Sequence, residues 1–294
     1  MLIQDCFGEI GKLPGVHQIT IDPTVPPVVH PPRKLPIARK EKLNTELRGM
    51  VKMGIIKPVH EPTDRVNSLV VVEKPNGKLR ICLDPKDLNK AIKRHHFHLP
   101  TTEEILASMS NAKFFTKLDA PNAYWQIEVD EESSKLLTFN TPFGRFSFQR
   151  LPFGIHSASE ICQAKIAEIL EGIEGALNSQ DDIIIWGSDK AELAARTTKV
   201  LDSIRSSGLK LNKEKCIFEA QTTTFLGHKM SANGIEADPA KITAILNMPE
   251  PTTKTELQRF LGMITYLGKF IPNLSDLTTP KIPFTPLKNR AKML

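Results

Sequence analysis

Apolar and polar positions repeat with two different spacings along the chain, and these spacings predict both helices and strands. Residues 38–53 place Leu43, Leu47 and Met50 at helical spacing, so a helix is expected there. Residues 68–84 contain two apolar runs on either side of Pro-Asn-Gly. That arrangement is typical of two antiparallel strands joined by a tight turn.

The same patterns predict the remaining elements and the fold class. Short helices are expected after Asp84 and within residues 99–106, where a Thr cap precedes acidic residues, and longer ones at about 157–171, 189–207, 238–248 and 253–270. Strands are expected at 114–119 and 125–129, with a hairpin over 136–148 and a strand pair over 218–230. Strands and helices do not alternate as in βαβ units, so the order favours an α+β fold over a doubly wound sheet.

The first part of the chain is predicted to be an extended arm. Prolines are frequent between residues 13 and 36, and each proline fixes φ and removes a backbone hydrogen-bond donor. We therefore expect residues 1–37 to run over the surface as a Pro-rich arm without helical structure.

Composition favours a globular, basic protein. The chain has 294 residues, 40% of them hydrophobic, and a formal net charge of +6, which favours polyanionic partners. Its four cysteines lack zinc-ligand spacing, as expected for reduced thiols of an intracellular protein. Neither a signal peptide nor a membrane span is expected.

Three carboxylates stand beside predicted strands. Asp181 and Asp182 precede an Ile-Ile-Ile-Trp run, and Asp119 follows Lys-Leu in a comparable segment. Adjacent carboxylates are costly to desolvate unless they face water or hold a cation. Three carboxylates converging from two strands suit divalent metals and two-metal phosphoryl transfer. The alternative is ordinary turn chemistry, because Asp is common at hairpin tips.

Basic residues cluster at or near the tip of the hairpin predicted over residues 68–84, namely Lys74, Lys78 and Arg80. One interpretation is a basic finger that grips phosphate groups. The other is a solvent-exposed hairpin whose lysines discourage pairing with another strand. These residues alone leave both interpretations open.

In this order and spacing, the motifs resemble the reverse transcriptase domain of Gypsy-type LTR retrotransposon Pol polyproteins, over roughly residues 10–285. The resemblance implies a right-hand polymerase, with fingers and palm over 38–236 and thumb helices over 237–294. The palm would hold a small antiparallel sheet, and the chain would end before any RNase H domain. The implied activity is RNA-directed and DNA-directed DNA synthesis, in which dNTPs are added to a primer 3′-OH.

The resemblance also implies a metal site and a set of partners. Asp119 matches the first catalytic aspartate, the Ala120 carbonyl is a further metal ligand, and Asp181 and Asp182 match the paired aspartates. They would hold two Mg²⁺ ions, with Mn²⁺ as a substitute. The implied partners are an RNA or DNA template–primer duplex and dNTPs, with no membrane. The implied location is intracellular, with cytoplasmic assembly and later nuclear entry, and the oligomeric state is left open.

Several residues match the nucleotide pocket of that family. Lys74 and Arg80 match fingers residues that contact the incoming triphosphate. Tyr124 matches the aromatic residue that crowds the sugar 2′ position and excludes ribonucleotides, although an aromatic at this position could also be a core residue. The Leu-Pro-Phe-Gly loop precedes the helix that lines the pocket, and the residues expected near the templating pair are Phe153, Gly154 and Gln163.

Two further segments match by position. The basic segment after Gly208 matches one whose lysine protonates the pyrophosphate leaving group, and Lys215 is the candidate, with Lys213 equally placed. The segment that resembles the primer grip consists of Phe225, Leu226, Gly227 and His228. His228 is expected to be structural, because no second His or Cys has metal-ligand spacing.

Three positions depart from the family pattern. Ser179 stands where the family usually has tyrosine, Ser159 where it has proline and Cys162 where it has phenylalanine. These departures favour a second hypothesis, a retroelement-derived protein that binds nucleic acid with weak or no catalysis. A third hypothesis is a metal-dependent nuclease that uses the same carboxylates, which leaves the basic hairpin without a role.

Overall fold

The computed structural model describes residues 4–73, 77, 79–94 and 96–278. The chain divides into two compact units, Met1–Thr223 and Thr224–Leu294. Helices and small, mostly antiparallel sheets are interspersed along the chain, so the predicted α+β class is confirmed. The predicted fingers, palm and thumb boundaries stay predictions.

The helices begin and end where the local sequence supplies capping groups. The Thr101 hydroxyl accepts a hydrogen bond from the Glu104 N–H, and the Glu104 carboxylate accepts one from the Thr101 N–H, which satisfies two donors at the helix start. Gly208 ends the helix over 190–207 in a left-handed conformation, with φ +75°, as predicted. The helices are α1 Ile37–Lys52, α2 Lys86–Ala91, α3 Thr102–Ser108, α4 Glu131–Leu136, α5 Ala158–Ile169, α6 Lys190–Ser207, α7 Pro239–Leu246, α8 Lys254–Tyr266 and α9 Leu274–Thr278.

The strands are short and pair mainly with close neighbours in the sequence. They are β1 Val16–His17, β2 Ile56–Val59, β3 Ser68–Glu73, β4 Leu79–Asp84, β5 Phe114–Asp119, β6 Glu128–Val129, β7 Thr138–Thr141, β8 Gly144–Phe148, β9 Ala176–Ser179, β10 Asp182–Gly187, β11 Ile217–Ala220, β12 Thr222–Phe225, β13 His228–Ser231 and β14 Gly234–Ala237. The predicted β3–β4 and β7–β8 hairpins are confirmed.

A four-stranded antiparallel sheet with the order β11-β5-β10-β9 lies in the first unit. In β10 the side chains of Ile183, Ile184 and Ile185 are all fully buried. A strand that is covered on both faces carries such a continuous apolar run instead of an alternating one. Helix α6 packs against β10, and α5 packs against β9. This sheet therefore supports the residues at the ends of its strands.

Residues 13–36 of the predicted arm run along the first unit without a helix. A 3₁₀ turn covers Gln4–Cys6, so the prediction of an arm without helical structure is wrong at its start. Strand β1 pairs in parallel with β6. The guanidinium of Arg65, which is only 7% exposed, donates hydrogen bonds to the backbone carbonyls of Val25 and Pro26. Farther along the arm, His30 Nε2 lies 2.8 Å from Asp87 Oδ2. These contacts attach the arm to the same unit that contains the four-stranded sheet.

Residues 125–129 were predicted to be a strand, and that prediction is wrong for most of the segment. A 3₁₀ turn covers Ala123–Gln126, and only β6 is extended. The buried Gln126 side chain accepts hydrogen bonds from the N–H groups of Gly11 and Lys210, at 3.2 and 2.8 Å, and donates to the Pro121 and Lys210 carbonyls. These bonds provide partners for the local backbone without a sheet ladder.

The second unit contains the β13–β14 hairpin and helices α7 to α9. Asp238 caps α7 by accepting a hydrogen bond from the Ala240 N–H, with Pro239 at the first helical position, as predicted. Strand β14, like α4 in the first unit, was not predicted. No helix in the described part of the chain is long and apolar enough to cross a bilayer.

Candidate active site

The sheet brings the three predicted carboxylates to one end of two neighbouring strands. Asp119 at the end of β5 pairs with Asp182 at the start of β10 in the antiparallel register. Directly opposed residues of antiparallel strands project from the same face, with their Cβ atoms about 5 Å apart. Asp181 is adjacent, and its carbonyl accepts a hydrogen bond of 2.8 Å from the Ala120 N–H. The backbone register therefore places the three residues at the same end of the two strands, and their shared metal site stays a prediction.

Asp181 lies in the tight turn that joins β9 to β10. Ser179 and Asp182 pair across the hairpin, and Gln180 between them adopts a left-handed conformation with φ +55°. This turn places Asp181 at the hairpin tip, where the residue is exposed although the protein around its carboxylate displaces part of the hydration water. The left-handed residue at the tip is a glutamine, for which this conformation is unfavourable, so surrounding contacts must hold the turn.

Asp119 is the most enclosed carboxylate of the three. It is 8% exposed, and its Oδ2 accepts a hydrogen bond of 3.1 Å from Lys215 Nζ. Its Oδ1 atom is buried and has no hydrogen-bond partner. A buried carboxylate oxygen without a partner is unfavourable, and a bound cation would satisfy it. This atom is the structural feature that best fits a metal ligand.

Mutual repulsion among the carboxylates affects the ionisation of Asp181. Desolvation by the surrounding protein raises the pKa of Asp181, and the charges of Asp182 and Asp119 raise it further, while Lys215 lowers it. Nearby like charges favour the protonated form. A divalent cation at this end of the sheet would reverse that preference, because it would stabilise all three carboxylates in the charged form.

Two lysines neutralise part of this negative charge. Besides the Lys215 contact with Asp119, Lys117 Nζ lies 3.4 Å from Asp182 Oδ1. Within the described residues, no three or more His, Cys, Asp or Glu side chains are arranged as a metal site. The donor chemistry nevertheless fits magnesium, which prefers oxygen ligands, and the fit rests on that chemistry and on the Asp119 oxygen.

A row of contacts links the predicted nucleotide-pocket residues. The Arg80 Cζ atom lies 5.2 Å from the centre of the Phe153 ring, and the Phe153 ring lies 4.9 Å from that of Tyr124. Burial raises the pKa of Tyr124 to about 12, with smaller contributions from Cys162 and Asp181. The Tyr124 phenol is therefore neutral, and it lies near enough to Asp181 to sense its charge.

The Leu-Pro-Phe-Gly loop accepts hydrogen bonds from both β4 and α2. The Leu83 N–H donates a hydrogen bond of 2.9 Å to the Phe153 carbonyl, and Asn89 Nδ2 donates one of 3.0 Å to the Gly154 carbonyl. Gly154 has φ +110°, and an added Cβ would collide with the Leu83 carbonyl oxygen. Only glycine permits this close approach, which explains the Gly at this position.

Gln163 has a different environment from the other pocket residues. It is 4% exposed, and both polar groups of its side chain bond to the β9–β10 hairpin, through Asn178 and Gln180. A role for Gln163 near the templating pair stays a prediction. The neighbouring Cys162 is fully buried, and burial raises the pKa of its thiol to about 12.

The structure separates the two candidate lysines of the basic segment. Lys215 contacts Asp119, whereas Lys213 lies in the same short 3₁₀ turn with an exposed side chain. The sequence placed the two equally, and the structure brings Lys215 into contact with Asp119; its role as proton donor stays a prediction. Lys74 and Lys78 of the predicted basic hairpin tip lie outside the described residues.

The segment that resembles the primer grip forms a tight turn in the second unit. Leu226 and Gly227 have φ values of +49° and +72°, and the Tyr266 hydroxyl donates a hydrogen bond of 3.0 Å to the Leu226 carbonyl. Phe225 is fully buried, and His228 is 2% exposed. The His228 ring lies 5.8 Å from the Tyr266 ring, and the structural role expected for His228 stays a prediction.

Three residues of this region were not predicted from the sequence, namely Lys117, Asn89 and Asn178. Lys117 could have been found, because it lies two positions before Asp119 in a strand and so shares its face. Asn89 and Asn178 act through hydrogen bonds to segments that lie apart from them in the sequence. No local pattern marks such contacts.

Comparison of the sequence with known proteins identifies a family and several relatives. The family described as "Reverse transcriptase (RNA-dependent DNA polymerase)" matches residues 72–230. The Pol polyprotein from transposon 297 of Drosophila melanogaster is 31% identical over 269 residues, which cover 89% of this chain and 25% of the relative. The Transposon Tf2-3 polyprotein of Schizosaccharomyces pombe is 34% identical over 250 residues, which cover 84% of this chain and 18% of the relative.

Solved structures show the same fold. The foamy viral protease-reverse transcriptase in complex with double-stranded DNA has a TM-score of 0.86 and 22% identity, over 95% of this chain and 59% of that chain. The same viral protein with an RNA/DNA hybrid has a TM-score of 0.81 and 20% identity, over 98% of this chain and 41% of that chain.

The chain spans about a quarter of the length of the transposon 297 and opus relatives. The right-hand polymerase fold expected from the sequence is confirmed by the solved structures, and the resemblance to retrotransposon Pol proteins is confirmed by the relatives. Because the family match covers more than half of its residues, the chain belongs to the reverse transcriptase (RNA-dependent DNA polymerase) family.

Proposed function

We propose that this chain is a polymerase that copies RNA and DNA templates by adding dNTPs to a primer 3′-OH. The observation that carries the proposal is the register of β5 and β10, which pairs Asp119 with Asp182 and places Asp181 in the adjacent turn. Carboxylates that lie together at the ends of neighbouring strands can hold divalent ions where a phosphoryl group is transferred.

Asp119, Asp181, Asp182 and the Ala120 carbonyl are the residues that would hold two Mg²⁺ ions, with Mn²⁺ as a substitute. Such ions, when bound, make the primer hydroxyl more acidic and neutralise charge on the triphosphate and leaving oxygen. The buried Oδ1 atom of Asp119 supports this assignment, because it is a strong acceptor with no protein partner. In this site Lys215 would release Asp119 and turn toward the leaving group.

Arg80 and Lys215 supply positive charge to the triphosphate in this proposal. The planar guanidinium of Arg80 can bind two phosphate oxygens at once, and its position over the Phe153 ring limits the directions in which it can point. Lys215 would donate a proton to the pyrophosphate oxygen as the bond to the α-phosphate breaks. Its contact with Asp119 supports a location beside the reacting groups.

Tyr124 would select deoxyribonucleotides by occupying the space next to the sugar 2′ position. The contact between its ring and that of Phe153 fixes the ring in place, and the loop that carries Phe153 is itself bonded to β4. A 2′-hydroxyl would then collide with the aromatic ring. Phe153 also lies under Arg80 of β4, so the same contacts would link nucleotide selection to the β3–β4 hairpin.

The proposed macromolecular partner is a template–primer duplex held mainly through its backbone. The formal charge of +6 favours a polyanion, and a polymerase must accept every sequence. Binding should then weaken steeply with salt, because each phosphate contact releases counterions. The primer-grip segment and the helices of the second unit are the proposed duplex contacts outside the first unit.

Primer extension on an RNA template with Mg²⁺ tests the proposal. We expect incorporation by the wild-type protein and none above background by Asp181→Asn, with strand cleavage followed in parallel without dNTPs. Background incorporation by both proteins, together with retained duplex binding, would show a nucleic-acid-binding protein without catalysis. Cleavage without dNTPs that is abolished in Asp181→Asn would show a nuclease instead.

A further inference from the structure

Two buried amide side chains form hydrogen bonds to the turn that carries Asp181. Gln163 Oε1 accepts a hydrogen bond of 2.7 Å from the Gln180 N–H, and Asn178 Nδ2 donates one of 3.3 Å to the Gln180 carbonyl. Both backbone polar groups of the residue before Asp181 are therefore bound by side chains. The Asp181 carbonyl is fixed separately by the Ala120 N–H.

The two amides also bind each other. Gln163 Nε2 donates to the Asn178 carbonyl at 2.9 Å and to Asn178 Oδ1 at 3.2 Å, and Asn178 Nδ2 donates to the Gln163 carbonyl at 3.3 Å. They come from different elements, since Gln163 is in α5 and Asn178 is in β9. The pair thus joins a helix to the hairpin through hydrogen bonds.

Burial makes this arrangement rigid. Gln163 is 4% exposed and Asn178 is 2% exposed, so water does not offer alternative partners, and a buried amide that lost a bond would be left unsatisfied. The left-handed conformation of Gln180, with φ +55°, needs such external support. Two of these hydrogen bonds are made to the backbone of Gln180 in the turn, whereas ordinary core hydrogen bonds do not hold a turn that carries a candidate metal ligand.

We propose that Gln163 and Asn178 form an amide clamp that fixes the Gln180 turn and thereby positions the Asp181 carboxylate for metal binding. The clamp acts through the backbone of Gln180, so in this role both amides are positioning residues. The inference rests on the proposed polymerase function for its catalytic consequence, but its effect on the turn can be measured without any catalysis.

Two substitutions remove different parts of the clamp. Gln163→Met keeps the length of the side chain and removes all of its hydrogen bonds. Asn178→Leu removes the bond to the Gln180 carbonyl but leaves the Gln163 bond to the Gln180 N–H in place, so its effects should be smaller. Should Gln163→Met fail to fold, Asn178→Leu carries the test.

Asn67 offers a matched control for the loss of a buried amide. It is 4% exposed, and its Nδ2 donates hydrogen bonds of 2.9 Å to the carbonyls of Leu136 and Thr138. Asn67→Leu therefore removes a comparable buried hydrogen-bonded amide, with a comparable loss of stability. It lies outside the hairpin, the nucleotide pocket and the carboxylate site, so it should leave the turn unchanged.

The experiment measures three quantities on the purified full chain of each variant. They are the hydrogen-exchange rate of the segment that contains Gln180, the affinity for Mn²⁺, and kcat and KM for dNTP in primer extension. In Gln163→Met we expect at least about tenfold faster exchange in this segment. We also expect about tenfold weaker Mn²⁺ binding and a kcat lower by roughly 10- to 100-fold with KM unchanged. Asn67→Leu should leave all three near wild type.

Each outcome decides the proposal. Unchanged exchange at the turn in Gln163→Met, or in Asn178→Leu if only that variant folds, would overturn it. Faster exchange with unchanged Mn²⁺ affinity would also overturn it, because the turn would then not position the carboxylate. An equal kcat loss in Asn67→Leu would show a general stability effect instead. If the wild-type chain does not extend primers, the proposed function fails, while exchange and Mn²⁺ affinity still decide the clamp.

Discussion

Replacing Lys215 with methionine separates the catalytic and structural roles of the ion pair at the carboxylate site. Lys215 Nζ lies 3.1 Å from Asp119 Oδ2, and the two side chains are 64% and 11% exposed. Methionine keeps most of the apolar stem and removes only the ammonium group. If Lys215 protonates the leaving pyrophosphate, Lys215→Met should lower kcat far more than it lowers stability.

The geometry sets the size of each effect. Two unit charges 3.1 Å apart attract by about 5 kcal/mol at an effective dielectric constant near 20. Solvent screens most of this attraction because Lys215 is largely exposed, so the net loss of stability should stay below about 1 kcal/mol. General acid catalysis is worth roughly 10²- to 10⁴-fold in rate, or about 3–5 kcal/mol of the barrier. The catalytic effect should therefore dominate.

The assay is single-turnover dNTP incorporation on a primed RNA template, measured beside thermal unfolding and across pH. Lys213→Met is the matched control, because Lys213 lies in the same 3₁₀ turn. We expect the rate to fall by about 10²-fold or more in Lys215→Met and to stay near wild type in Lys213→Met. In the metal-free protein, the pKa of Asp181 should be higher in Lys215→Met than in the wild type, since Lys215 lowers it.

Equal rates for the two lysine variants would refute the assignment of Lys215 as proton donor. A melting temperature that falls in proportion to activity in Lys215→Met would refute the separation of roles, because the ion pair would then be mainly structural. A rate that falls only in Lys213→Met would place the proton donor on the other lysine.

Three further predictions follow from the same geometry. Gly154→Ala should destabilise the protein by about 2 kcal/mol or more in chemical denaturation, because the added Cβ meets the Leu83 carbonyl. Gly144→Ala is the control, because Gly144 has a similar φ but open space around it, and it should destabilise the protein less. Tyr124→Ala should raise ribonucleotide incorporation relative to deoxyribonucleotide incorporation, measured as a ratio of kcat/KM values. The folded protein raises the pKa of Asp181, so the free energy of unfolding falls as the pH rises through that pKa. Without metal, Asp181→Asn should therefore be more stable than the wild type at pH 7, by less than about 1 kcal/mol. Well below the pKa of an unfolded aspartate, the two proteins should be equally stable.

Local chemistry made much of the fold predictable. The end of α6 at Gly208, the start of α7 at Asp238 and the β3–β4 hairpin each depend on residues within a few positions. The placement of Asp119 and the Asp181-Asp182 pair beside β5 and β10 was also predictable, because both segments carry apolar runs typical of strands. Those predictions needed no knowledge of distant contacts.

Long-range hydrogen bonds made the rest unpredictable. Gln126 bonds to Lys210, which lies 84 positions away, and this contact favours a 3₁₀ turn where the sequence pattern predicted a strand. Gln163 and Asn178 are 15 positions apart, in elements whose relative placement no periodicity reveals. Lys215 and Lys213 could not be separated until the position of β5 beside their segment was known.

The most direct test of the central claim is dNTP incorporation opposite an RNA template by the wild-type chain and by Asp119→Asn, with Mg²⁺ and again with Mn²⁺. Asparagine keeps the size of the side chain and removes the charge of the most enclosed carboxylate. The account predicts incorporation by the wild type and a loss of about 10²- to 10³-fold in the variant with either ion, with template–primer binding retained. Equal incorporation by both proteins would contradict a metal site built on Asp119, Asp181 and Asp182.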